Sequence, residues 1–171
     1  MNKLFFILWL SAILMPLHAQ PLQNQNKKGI PDFDIIQVNG SHFRASDLIK
    51  GHPVMFVYFD PDCDHCLMFI TELLKNMDAF ENIQVVMVTY VPVRSIKNFV
   101  NDLGINKYPG IKIGTEGNNF IIRYYYDVFQ FPYLALHDKN GNLFATYESE
   151  VPEPGEVAAL FRDKGQGTRD K

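Results

Sequence analysis

Residues 53–66 read Pro-Val-Met-Phe-Val-Tyr-Phe-Asp-Pro-Asp-Cys-Asp-His-Cys, an unbroken apolar run followed at once by a short turn and a C-x-x-C pair. Apolar residues without alternation mark a strand buried on both faces, as in a parallel sheet. From Leu67 to Phe80 the pattern changes to helical spacing, with Cys66, Ile70, Leu73, Met77 and Phe80 on one stripe. A second continuous apolar run follows at Ile83–Tyr90. Strand, helix and strand in that order make a βαβ unit with a parallel pair, which confines the chain to the α/β class.

Cys63 and Cys66 are the only cysteines. Three apart at the opening of a helix, they lie on one face within reach of a disulfide. The spacing predicts Cys63 in the first turn, where unpaired N–H groups and the helix dipole favour a thiolate. Cys66, one turn further in, points toward the core. The roles divide accordingly: Cys63 attacks a disulfide, and Cys66 resolves the mixed disulfide that forms. His65 and Asp64 between them are modulating groups. A protonated His65 favours the Cys63 thiolate, whereas Asp62 and Asp64 oppose it. If His65 acts this way, His65→Ala makes the disulfide less oxidising.

Other uses of the segment fit less well. A purely structural disulfide over so short a loop removes little entropy from the unfolded chain. Asp60, Asp62 and Asp64 imitate the opening of a calcium loop, but His65 stands where glycine is needed and Thr71 where a bidentate Glu belongs. Soft-metal binding, to copper for example, by Cys63, Cys66, His65 and a distant histidine such as His52 or His137 is the alternative from another functional class. With no second C-x-x-C or H-x-H cluster to complete a tetrahedral set, no metal ligand is assigned, and the disulfide chemistry itself requires no cofactor.

The first nineteen residues have the form of an address. Lys3 provides a positive start, Leu4–Leu14 an apolar stretch, and Leu17-His18-Ala19 a cleavage site. The stretch is short for a membrane span and ends at Pro16, so no stable span is expected after cleavage. Export to the periplasm or beyond puts the protein where disulfides persist. Residues 20–30 read as a flexible leader, 31–163 as one domain, and 164–171 as a loose polar tail. Without Lys3 the 16 basic residues fall to 15 against 19 acidic ones. No basic patch stands out, so nothing points to nucleic acid.

Within the domain, Asn39-Gly40 joins Phe33–Val38 to His42–Arg44 as a hairpin, and Ser46–Gly51 forms one helical turn stopped by glycine. Ser95 is expected to cap a helix with Ile96, Phe99, Val100 and Leu103 facing inward, and Gly110–Gly114 to add an edge strand. Asn118 or Asn119 opens a helix whose inner face is Ile121, Tyr124, Tyr125 and Val128. Tyr133–His137 and Asn142–Tyr147 pair through Asn140-Gly141, and Val157, Leu160 and Phe161 mark a closing helix near Pro154.

This order, with C-x-x-C on the first βαβ turn and Phe131-Pro132 before the late hairpin, resembles the thioredoxin fold. It is most similar to the exported TlpA/ResA branch of the redoxin (AhpC/TSA-like) group. The resemblance covers Pro31 to Phe161 and rests on Pro31-Asp32-Phe33, Asn39-Gly40, Ser46-Asp47-Leu48, Lys50-Gly51, Asp60–Cys66, Phe131-Pro132 and Asn140-Gly141. It implies a central mixed β-sheet flanked by helices, with an extra N-terminal β-hairpin. It also implies a thiol–disulfide oxidoreductase acting on protein thiols and disulfides with an unidentified redox partner, in the reductase or isomerase direction rather than as an oxidase. Pro132 would be cis beside the cysteine pair, with the Phe131 backbone binding an extended substrate segment. Four positions depart from relatives. Val57 and Phe69 replace acids that assist the resolving thiol in thioredoxins and ResA-like proteins, and Phe56 and Asp60 replace the Pro and Thr of a peroxidatic site.

Overall fold

The computed structural model describes residues 29–166. The proposed signal segment, most of the leader and residues 167–171 lie outside them. β1 (Asp34–Gln37) and β2 (His42–Arg44) form the first hairpin, then β3 (Val54–Tyr58), α1 (Asp64–Lys75) and β4 (Gln84–Thr89) form the βαβ unit. Next come α2 (Val93–Asp102), β5 (Ile111–Thr115), α3 (Ile121–Tyr126), the hairpin of β6 (Tyr133–His137) and β7 (Leu143–Glu148), and α4 (Pro154–Gln166). The seven strands make one sheet in the order β2-β1-β5-β4-β3-β6-β7. β3, β4 and β5 are parallel, and every other pairing is antiparallel. This is the mixed, thioredoxin-like α/β sheet with an added N-terminal hairpin.

All five β3 side chains are buried because both faces of the sheet are covered. Met55 and Val57 face a core that includes Cys66, Ile70, Leu73, Val100 and Phe161 from α1, α2 and α4. Val54, Phe56 and Tyr58 face the other way, against Phe33 just before the first hairpin, Phe43 within it, and Ile122 and Tyr126 of α3. Strand alternation thus splits one apolar run between two cores, which explains why the sequence shows no period of two there.

Four local expectations are corrected. β5 is not an edge strand: β1 adds outside it through Ile36–Thr115 and Gln37–Gly114, leaving β2 and β7 as edges. Ser95 is not a cap. α2 begins at Val93 after Pro92, whose fixed φ of −58° presets the turn, and the Ser95 N–H already donates to Pro92 O at 2.8 Å. The single turn expected at Ser46–Gly51 is a 3-10 turn at Ala45–Asp47, where the Asp47 carboxylate accepts the Arg44 N–H at 2.8 Å. Finally, α3 begins at Ile121 after Phe120 in a left-handed conformation (φ 49°), so its buried face is Ile122 and Tyr126 while Tyr124 is 72% exposed. At the chain ends of the domain, Tyr125 OH donates to Gly29 O at 2.9 Å, and α4 continues through Lys164 to Gln166.

Candidate active site

Strand β3 delivers the chain to its carboxyl end at Tyr58, and Asp60-Pro61-Asp62 turns it into α1. The turn is tied locally: the Asp62 N–H donates to Asp60 Oδ1 at 2.9 Å and the Cys63 N–H to Asp60 O at 3.1 Å. Cys63 therefore sits one position earlier than its spacing predicts, as the N-cap residue of α1 with extended backbone (φ −95°, ψ 118°). In a cap, the side chain accepts an otherwise orphaned helix N–H. Here the acceptor is sulfur, 3.4 Å from the Cys66 nitrogen. A donor thus points at the atom where a thiolate would carry its charge.

The two sulfurs have unlike surroundings. Cys63 is half-buried, whereas Cys66 is fully buried, 0% exposed, and belongs to the core under α1. Burial holds the Cys66 thiol well above its ordinary pKa; the nearby Cys63 sulfur and the Asp60 charge push the same way, and only the Asp60 backbone N–H opposes them. Val57 and Phe69, the positions without an acid, are both buried in apolar packing.

The Phe131–Pro132 peptide is cis and meets the pair from the far side. The Cys63 thiol donates to Phe131 O at 3.9 Å. This loop is clamped by groups distant in sequence. Glu148 Oε1 accepts the N–H groups of Phe129 and Gln130, both at 2.7 Å, and the Ser149 N–H donates to Pro132 O at 3.0 Å. The Phe131 ring stacks between Tyr58 and Tyr90, with centroids at 5.9 and 6.0 Å. The Arg123 guanidinium lies 5.5 Å from the same ring. Behind it, buried Glu116 accepts the Tyr58 hydroxyl at 2.6 Å and the N–H groups of Ile122 and Arg123 at 2.7 and 3.3 Å. Tyr90 donates its hydroxyl to Asp60.

The structure thus brings together Cys63, Cys66, Phe131 and Pro132, with Asp64 and His65 as the first two, exposed residues of α1. It keeps the remote histidines apart from them. His137 pairs with Val54 and Tyr133 with Tyr58, so His137 lies a strand length, about 13 Å, from the cysteine end of β3. His52 precedes β3 at that same distant end. Among the described residues, no three His, Cys, Asp or Glu side chains are grouped to hold a metal ion, and no helix is long and apolar enough to cross a membrane.

Sequence reading missed Asp60, Tyr90, Glu116, Arg123 and Glu148 as site-building residues. One signal was present: Glu116 is a charged residue directly after the strand-like segment Ile111–Thr115, where a buried carboxylate needs partners. The Asp60–Tyr90 bond spans thirty residues and had no local signature.

Solved structures with the same fold include a secreted disulfide oxidoreductase of Mycobacterium tuberculosis, at 16% identity and a TM-score of 0.64 over 77% of this chain and 96% of that one. A pneumococcal exposed lipoprotein thioredoxin from Streptococcus pneumoniae matches at 21% identity and a TM-score of 0.64, covering 77% and 98%. A thioredoxin-family thiol:disulfide interchange protein from Chlorobium tepidum matches at 15% identity and 0.66, covering 85% and 97%. Against curated protein sequences the chain has no significant match. Residues 27–167 match the AhpC/TSA family model. A match over that much of the chain, on a thioredoxin-like sheet with its cysteine pair at the end of β3, makes this protein a member of the AhpC/TSA family.

Proposed function

We propose that the protein is an exported thiol–disulfide oxidoreductase of the TlpA/ResA kind, acting on protein substrates as a reductase or isomerase. The observation that carries this reading is the asymmetry of the two sulfurs. Cys63 is half-buried, with a backbone donor on one side and the Phe131 carbonyl on the other, while Cys66 is sealed beneath it. The Cys63 thiolate attacks a substrate disulfide, forming a mixed disulfide and releasing one substrate sulfur as a thiolate. Cys66, losing its proton, then attacks Cys63 Sγ, so that the second substrate sulfur leaves and the Cys63–Cys66 bond forms. Two electrons pass from the pair to the substrate, and an external thiol donor restores the dithiol.

Phe131 and Pro132 would border the bound substrate segment. His65 and Asp64 would adjust the charge around the pair. Thiol exchange also fits better than peroxide reduction, since Phe56 is buried in β3 and Asp60 is engaged by Tyr90 where a peroxidatic site has Pro and Thr. Export rests on the leader-like first nineteen residues; the mycobacterial relative is a secreted protein and the pneumococcal one an exposed lipoprotein.

The test is the equilibrium reduction potential of the pair against glutathione, followed by mass. A value near that of thioredoxin, roughly −270 mV, supports a reductase, whereas one near that of DsbA, roughly −120 mV, reverses the direction. A pair that never equilibrates removes the proposal. In parallel, Cys66→Ser is expected to accumulate a mixed disulfide on Cys63, and Cys63→Ser to form none.

A further inference from the structure

Beside Cys63 lies a groove of about 430 Å³, with His65 and Pro132 at its near end, running between α1 and the segment that joins β7 to α4. Its apolar lining comes from Met68, 65% exposed, with Phe69, Val151 and Pro152. Its charged lining is Glu72, Glu150 and Glu153, and among the described residues neither Lys nor Arg lines it. Glu72 is ion-paired with Lys75 at 2.6 Å. Glu150 and Glu153 are exposed and have no ionic partner among the described residues. Two more exposed carboxylates, Asp62 and Asp64, flank Cys63 itself. An occupant must therefore satisfy an apolar floor and a negative rim together. A neutral segment uses the floor alone, and an acidic one is repelled.

We propose that this groove binds the substrate segment next to the reactive cysteine, and that the segment is an extended basic stretch. In it, a Lys or Arg stands at Glu150 and Glu153 while an apolar neighbour covers Met68 and Val151. This rests on the thiol-exchange reading above and specifies its substrate class. Long cationic side chains suit the site because their methylene stems lie along apolar surface while the charge reaches the rim.

The experiment is a single turnover of the reduced full chain with three two-cysteine cyclic peptides of equal length, carrying Lys, Gln or Glu beside the first cysteine. Cys63 attacks one peptide sulfur and the other leaves as a thiolate. Cys66 then closes the protein disulfide and frees the dithiol peptide, so no further reductant is needed. Each rate is divided by that of the same peptide with dithiothreitol, which removes the intrinsic effect of the flanking charge. The Lys peptide is expected to react roughly three- to tenfold faster than the Glu peptide at low salt, with the gap closing as salt rises. Glu150→Gln/Glu153→Gln should erase most of that preference. Glu81→Gln/Asp102→Asn, which removes the same charge from exposed positions at the other end of the sheet, should retain it. Equal rates for all three peptides, or a preference that survives Glu150→Gln/Glu153→Gln, overturns the groove proposal while thiol exchange stands. If none of the peptides reacts with the reduced chain although all react with dithiothreitol, the thiol-exchange reading fails and this proposal with it.

Discussion

Glu116 is the only buried carboxylate among the described residues, at 4% exposure, and its oxygens are fully engaged by Tyr58, Ile122 and Arg123. It fixes one end of a relay that reaches Cys63: Glu116 holds Tyr58 and the start of α3, Tyr58 and Arg123 pack Phe131, and Phe131 O faces the Cys63 thiol. Glu116→Ala strands a buried hydroxyl and two N–H groups, at a cost of about 3 kcal/mol. Glu116→Gln keeps one carbonyl acceptor and should cost about 1 kcal/mol. Urea unfolding of the two variants distinguishes them, and equal losses would remove the hydrogen bonds from the explanation. At this scale the sequence announced the cysteines and the cis Phe131–Pro132 pair because their spacing or family pattern is local. Tyr58 and Glu116 are fifty-eight positions apart, so their contact is a property of the sheet and could not be seen in a window of residues.

The first hairpin joins the sheet through β1 and β5 alone, and the junction depends on Gly114. A Cβ built there would sit 2.7 Å from Ile36 O and 3.0 Å from its carbonyl carbon, both backbone atoms that cannot swing away. Gly114→Ala should therefore push β1 off β5 and destabilise the fold by roughly 1–3 kcal/mol. Hydrogen exchange should show the loss concentrated in β1 and β2, with β3 and β4 retaining protection at a given denaturant concentration; a uniform loss across the sheet would contradict this. Elements with strong local chemistry were legible. Asn39-Gly40 and Asn140-Gly141 form their turns with Gly40 and Gly141 at φ 83° and 78°, and the βαβ unit follows its apolar runs. Elements whose place depends on partners were not. β5 reads as an edge strand until the hairpin covers it, and α3 buries Ile122 rather than Tyr124 with its start held by Glu116, six residues upstream and itself fixed by Tyr58 of β3. The start of α2 differs for a related reason: its entry is set by Pro92, just past the end of β4, and not by the best capping side chain nearby.

Across the whole molecule, the cysteine pair and the buried histidine His137 occupy opposite ends of β3. The cysteines lie beyond Tyr58, and His137 lies opposite Val54, 0% exposed among aromatic rings. The Tyr126 hydroxyl shares a 2.6 Å hydrogen bond with His137 Nε2, and Nδ1 lies 3.0 Å from Gly141 O, so the neutral ring that donates from Nδ1 satisfies both contacts. Burial pulls its pKa from 6.5 to about 4, against smaller opposing effects from the Gly141 carbonyl and the Asp138 charge. A folded pKa below the unfolded value means the unfolded chain binds the proton first. The stabilisation is therefore complete above pH 6.5 and is lost as pH falls from there toward 4, by on the order of 3 kcal/mol. Asp138, whose carboxyl is held below its ordinary 3.8 by hydrogen bonds from Asn142 and Asn140 against the effect of burial, adds to the loss only at lower pH. Urea midpoints should hold from pH 7.5 to about 6.5 and then fall to pH 4.5 in the wild type, and fall much less steeply in His137→Gln, which starts from a lower stability at neutral pH. Parallel slopes would assign the acid sensitivity to another group. Because His137 and the cysteines do not share a core face or a hydrogen bond, His137→Gln should leave the reduction potential of the Cys63–Cys66 pair unchanged at pH 7. A shifted potential would mean that the two ends of β3 are coupled through the sheet.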